Sequence, residues 1–153
     1  MSDHHPLLNP GFHDINVEDL EKHFVEPFND SSRREVLTEK LIYFITRLKE
    51  LGIDLEIWIA GSYTNDKTSP SDVDLVVFIE QKDVNALSKD KKRVFSNLFG
   101  NPRLMKIRYN LDIFFAPKDQ ESDDYWKGTF GFSRHGNTPK GISRICLKGD
   151  ICE

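Results

Sequence analysis

Residues 75–79, Leu-Val-Val-Phe-Ile, are apolar at every position rather than at every second one, so a strand running through them is buried on both faces. Such a strand needs cover on each side, which only a sheet packed between other elements can provide. Two aspartates, Asp72 and Asp74, stand where this run emerges. Upstream, Glu56–Ala60 is short and rich in Ile and Trp, as a buried strand should be, and Gly61-Ser62 breaks it. Residues 64–71 carry the Asn, Asp, Ser, Thr and Pro of a turn, and Val73–Ile79 is the second strand. Lys106–Phe115 reads as a third strand, alternating at first and then apolar, and Gly141–Lys148 as a last one.

The helical signals lie around these strands. Val17–Phe28 reads as a short helix ending at Pro27. Ser32-Arg-Arg-Glu35 has the spacing of a capping box, Leu37, Leu41, Phe44, Ile45 and Leu48 recur at helical spacing, and Gly52 stands where a C-terminal cap belongs. Asp83–Phe99 reads as a charged helix closed by Gly100-Asn101-Pro102, and Asp119, Glu121, Asp123 and Asp124 as an acidic loop. Without a regular βαβ repeat, the expected class is α+β, a mixed sheet flanked by helices. The 153 residues suit one domain, with 1–14 expected as a partly flexible segment and 15–153 as the folded unit.

Hydrophobic residues at 38% and charged residues at 30%, with eleven Phe, describe a globular chain. No apolar run approaches the roughly 18 residues needed to span a bilayer, and Met1–Phe12 has no signal-peptide core, so the expectation is a cytoplasmic protein without a membrane partner. Cys146 and Cys152 form no metal or disulfide framework, and His4, His5 and His13 are read as solvated rather than as a metal arm. The net charge of -4 argues against coating nucleic acid, yet residues 82–108 hold eight Lys or Arg against two Asp. That basic stretch fits either an anionic substrate beside an acidic site or a solvated helix face.

The carboxylates carry the chemistry. Asp72 and Asp74 leave the same face of a strand, with Cα atoms about 6.6 Å apart. Asp112 repeats the device, one carboxylate inside the apolar run Leu111–Phe115. If the two strands are neighbours, three carboxylates converge, and their repulsion calls for a cation. Mg2+, with Mn2+ as its substitute, prefers hard oxygen ligands, and two such ions about 3.5–4 Å apart activate a hydroxyl and stabilise a leaving pyrophosphate. Gly61 lets the backbone approach a phosphate, and the Ser62 hydroxyl with nearby amides can hold it. Lys67 in the turn, and Lys140 and Arg144 in the last strand, are further candidates for phosphate or acceptor, against a surface role for each. Tyr125 and Trp126 are candidates for stacking on a base, against simple packing.

The pattern Gly61-Ser62, nine residues, Asp72-Val73-Asp74, then Leu111-Asp112-Ile113 resembles the nucleotidyltransferase superfamily with the polymerase-β-like fold, above all the minimal nucleotidyltransferases of bacterial toxin-antitoxin pairs. Asn9-Pro-Gly-Phe-His13, Gly61-Ser-Tyr-Thr-Asn-Asp-Lys67 and Pro139-Lys-Gly-Ile142 are similar to an uncharacterised bacterial branch of it. The resemblance implies Gly61 and Ser62 on the nucleotide phosphates, Asp72 and Asp74 on both metals, and Asp112 on the metal that activates the acceptor. It also implies transfer of a nucleoside monophosphate, commonly AMP, from an NTP, with ATP favoured, to a hydroxyl on a protein, an RNA or a small molecule. The chain leaves little room for the helical domain of larger members, which points to a cognate toxin, another neighbouring-gene partner, or a homo-oligomer. Two other functions compete: a non-catalytic, antitoxin-like module that binds a nucleotide or partner, and a metal phosphodiesterase, for which residues 60–115 offer no His-rich ligand set.

Overall fold

The computed structural model describes residues 5–132 and 138–148; His4 and Cys152 lie outside them. Five strands form one mixed sheet: β1 (Gly11–Asp14), β2 (Leu55–Ala60), β3 (Val73–Ile79), β4 (Leu111–Pro117) and β5 (Gly141–Leu147), in the order β1-β5-β2-β3-β4. Among the described residues six α-helices accompany them: α1 (Leu20–Phe24), α2 (Ser32–Lys49), α3 (Gln81–Asn85), α4 (Lys89–Phe99), α5 (Pro102–Tyr109) and α6 (Gln120–Phe130), with short 3-10 turns at Val17–Asp19 and Gly61–Thr64. β2 runs antiparallel to both β3 and β5, whereas β3 is parallel to β4 and β5 to β1. The class is therefore α+β with a mixed sheet, as the irregular order of elements suggested. No helix among the described residues is long and apolar enough to cross a membrane.

Side chains alternate across the sheet into two unequal cores. Ile57, Ile59, Leu75, Val77, Leu111 and Ile145 face the larger one, where α1, α2, α4 and α5 lay down Leu20, Phe24, Leu37, Leu41, Ile45, Leu98 and Met105. Trp58, Val76, Phe78 and Ile142 face the smaller one, which α6 closes with Phe130 and Trp126. Each such aliphatic or aromatic side chain removed from water contributes roughly 1.5–3 kcal/mol. The apolar run 75–79 thus marks the strand that divides both cores. Gly52, with φ +68°, takes the left-handed conformation expected after the long helix.

Five details depart from the sequence reading. The single charged helix expected over Asp83–Phe99 is two, α3 and α4, separated at residues 86–88, where the Ser88 side chain caps α4 by accepting from the Lys91 N–H at 3.2 Å. Residues 11–14, placed in the N-terminal segment, form edge strand β1 against β5. The cap of α2 sits one residue earlier than expected, with the Ser31 hydroxyl donating to the Glu35 carboxylate over 2.8 Å. The acidic loop is the first half of α6, because the Asp119 side chain accepts from the Ser122 N–H at 2.7 Å and acidic residues suit the positive end of a helix. Finally, Lys106–Tyr109 is the end of a helix and not the start of a strand. Asn101 caps α5 by accepting from the Leu104 N–H at 3.1 Å, Pro102 fills its first turn, and Asn110, with φ +56°, stops it.

Candidate metal centre

β3 and β4 are adjacent and parallel, and their register sets Asp74 directly beside Asp112. Asp72 lies just before β3, so all three carboxylates meet at one end of the sheet, each half-buried, with one oxygen from each lying within 4.8 Å of the others. On one octahedral ion at about 2.0–2.1 Å, neighbouring oxygens lie about 2.9 Å apart and opposite ones about 4.2 Å, so closing this set on a metal takes side-chain shifts on the order of an ångström. Among the described residues it is the one cluster of three or more potential ligands. Its electrostatics favour a cation nearby. Burial, the hydrogen bond with Asp112 and the charges of Asp72 and Asp112 push Asp74 up to about 7.

Gly61 borders the cluster. Ala60, the last residue of β2, pairs with Asp74, and Gly61 follows with φ +81°. A Cβ at that position would run into the Asp74 carboxylate, with Cγ only 3.0 Å away. Gly61→Ala therefore combines a left-handed strain with displacement of Asp74, and lowers stability by roughly 2 kcal/mol or more, read as a shift in the denaturant midpoint. A midpoint shift under about 0.5 kcal/mol would show that the turn yields freely.

The turn that follows is held from below by arginines of α2. Arg34 is completely buried, and its guanidinium donates to the carbonyls of Phe24, Ser62, Tyr63, Asn65 and Lys67 at 2.7–3.3 Å. Its neighbour Arg33 reaches Pro70 O at 3.1 Å and Ser71 O at 2.6 Å. Tyr63 adds a buried hydroxyl contact with Thr38 at 2.5 Å. The loop from Ser62 to Ser71, which has little regular structure, is thereby fixed to the helix beneath it. Sequence reasoning missed Arg34, although it stands three and seven residues before Leu37 and Leu41, on the buried stripe of the helix.

A cation the sequence reading placed on a strand turns out to touch the cluster. Lys106 Nζ lies 3.1 Å from Asp112 Oδ2 and 3.4 Å from Asp72 Oδ2. The hydrogen bond to Asp112, with the charges of Asp112 and Asp72, raises the lysine above its usual range. This meeting follows from the left-handed turn at Asn110, which folds the end of α5 back beside the start of β4. Lys40 steadies that turn by donating to Asn110 Oδ1 at 2.7 Å.

The other candidates divide. Gly61 abuts the Asp74 carboxylate and Ser62 follows it in the turn, while Lys67 lies within the anchored loop, its N–H donating to Asn65 Oδ1 at 2.9 Å. Lys140 precedes β5 at the same sheet end, since Ser143 pairs with Ile59. Arg144 does not join the cluster: it pairs with Trp58 in register, two positions inward, and its guanidinium grips Asp14 at 2.6 and 3.1 Å over the Phe12 ring. Trp126 packs against Phe114 and Phe130, whereas Tyr125 keeps 63% of its surface exposed. A hollow of about 480 Å3 lies at the far end of the sheet, lined by Asp14, Ile15, Asn16, Glu56, Arg144 and Cys146. Its charges are already paired, and it lacks the convergence of oxygens that distinguishes the aspartates.

Fold and site together define an α+β domain with an acidic, metal-type cluster where a Gly-Ser turn meets two parallel strands. The model of a family of unknown function, DUF6932, matches residues 1–146, and the chain belongs to that family. No curated protein and no solved structure matches it.

Proposed function

We propose that this protein is a Mg2+-dependent nucleotidyltransferase of polymerase-β-like fold. It moves a nucleoside monophosphate, AMP by preference, from an NTP to a hydroxyl on a protein, an RNA or a small molecule. The observation that carries this reading is the register of Asp74 with Asp112, which assembles three carboxylates beside Gly61.

In the proposed reaction the acceptor oxygen bonds to the α-phosphorus as the bond from that phosphorus to the bridging oxygen breaks. Pyrophosphate departs, and the hydroxyl proton passes to a triad carboxylate. Asp72, Asp74 and Asp112 would hold the metal, which when bound supplies neutralisation of the phosphates and polarisation of the attacking and leaving oxygens. Gly61 keeps the backbone beside Asp74 free of a side chain, so that a phosphate can approach the carboxylates closely. Ser62 presents a hydroxyl from a turn whose carbonyls Arg34 has already bonded, which reduces the reorganisation needed to receive an anion.

A second reading, a non-catalytic nucleotide- or partner-binding subunit of antitoxin-like kind, is favoured by one observation. Lys106 already balances two of the carboxylates. The two readings separate when the protein is incubated with Mg2+, each α-phosphate-labelled NTP and host lysate, beside the Asp72→Ala/Asp74→Ala double variant. Label moving to a protein, RNA or small-molecule fraction with the wild type alone is the expected result. No transfer with any NTP, from folded protein that still binds nucleotide, would favour the binding subunit.

A further inference from the structure

The carboxylates where β3 and β4 begin already have a cationic neighbour. Lys106 bridges Asp72 and Asp112 through one oxygen, Oδ2, of each carboxylate, and it comes from a different element, the last turn of α5. Three features make this contact reversible. The lysine side chain is about half exposed, at 52%, so its stem can swing into solvent without leaving a cavity. Its anchor is rigid, because Asn110 ends the helix in a left-handed turn that Lys40 holds through a hydrogen bond of 2.7 Å. Its two contacts, at 3.1 and 3.4 Å, are ion pairs of a half-exposed kind, individually weak and easily exchanged.

A divalent ion held by the same carboxylates sits about 2.1 Å from their oxygens, closer than an ammonium approaches. Two cations sharing those oxygens repel, so one must leave. We propose that Lys106 is a tethered counter-cation, which occupies Asp72 and Asp112 while the site is metal-free and is displaced when a divalent ion binds. The inference rests on the metal reading above. Lys106 is then a positioning residue: it keeps the cluster assembled and raises the metal concentration at which the site loads. Asp74, which feels the lysine's charge and shares a hydrogen bond with Asp112, completes the set an arriving ion would meet. On this arrangement the lysine, once released, lies beside the bound metal, where a triphosphate would bring its negative charge.

Metal titration of the full chain without nucleotide tests this apart from any transfer chemistry. Mg2+ is followed by calorimetry and Mn2+ by electron spin resonance, on wild type and on Lys106→Met, Lys106→Gln and Lys106→Arg. Removing the charge should tighten binding roughly tenfold, the equivalent of the two weak ion pairs lost, while Lys106→Arg stays within about threefold of wild type. Arg103→Met and Arg108→Met remove the same charge from the same helix without touching the carboxylates. They should change the affinity by less than about twofold, because a screened charge further away contributes little. Unchanged or weaker binding in both neutral Lys106 variants would overturn the inference and leave the metal reading intact. So would equal tightening in the Arg103 and Arg108 variants, which would reduce the lysine to general field. Absence of metal binding by wild type and variants alike would overturn both.

Discussion

Asp74→Asn should give a metal-free protein more stable than wild type at pH 8 and, on the proposed function, one that no longer transfers nucleotide. The stability gain follows from the strained state of the wild-type carboxyl. Burial first, then Asp112 and Asp72, push its folded pKa from 3.8 to about 7. The folded protein therefore retains a proton that the unfolded chain releases between about pH 4 and pH 7. In that window the folded state binds more protons, so stability falls as pH rises and levels off above pH 7. The stabilising contribution is present below the unfolded value and is lost by the time the pH passes the folded one. Asparagine, uncharged throughout, should remove this slope and recover roughly 2–4 kcal/mol at pH 8. Urea denaturation of the metal-free protein at pH 5 and pH 8 reads both effects. A variant as unstable at pH 8 as wild type, with the same pH slope, would mean that Asp74 ionises without penalty. Transfer, in turn, should fall by about 10³-fold or more, since losing a single well-placed electrostatic contact in an active site already costs about 10²–10³-fold. Retained transfer in Asp74→Asn would remove the aspartate from the proposed mechanism.

Arg34→Met is expected to be the most damaging single substitution to the fold. The guanidinium is fully buried and bonds five carbonyls, four of them in the loop from Ser62 to Lys67. Phe28 stacks on it at 3.8 Å, and burial lowers its pKa to about 10, so it stays charged at neutral pH. Methionine fills most of the volume and satisfies none of the carbonyls, each of which costs about 1–3 kcal/mol when buried without a partner. Because some carbonyls would turn towards water, the expected loss is about 4 kcal/mol rather than the full sum, a large part of a small domain's stability. Arg34→Lys should recover less than half of it, since three donors on one nitrogen cannot reproduce a planar fork serving five acceptors. The measurement is the midpoint of chemical unfolding for the three proteins. An Arg34→Met protein within 1 kcal/mol of wild type would show that the loop holds itself.

These two residues differ in how visible they were. Asp74 announced itself, because a carboxylate next to an all-apolar run has few structural uses, and the spacing from Gly61-Ser62 gave it a partner. The long helix and the strands β2, β3 and β5 were legible for the same reason: burial writes a period of 3.6 or 2 into the chain, or abolishes alternation altogether. Arg34 carried a weaker signal, an arginine on the apolar stripe, and a charged residue at the start of a helix is ordinarily read as solvated. Its partners are backbone carbonyls, which have no sequence identity, so no pattern could name them. The acidic half of α6 was obscured in a similar way, since an acidic first turn resembles a charged loop until the apolar residues behind it are placed.

What local chemistry specified was the set of groups: the strands, the Gly-Ser break, and the aspartates at strand ends. What required the folded chain was their mutual position. Asp74 and Asp112 are 38 residues apart, and their alignment depends on the register of two parallel strands joined by three helices. Lys106 reaches the same carboxylates only because Asn110 adopts φ +56° and reverses the chain. Hydrophobic burial is periodic along the sequence and can be read from it. Electrostatic convergence depends on distances through space, and these exist only once the sheet has closed.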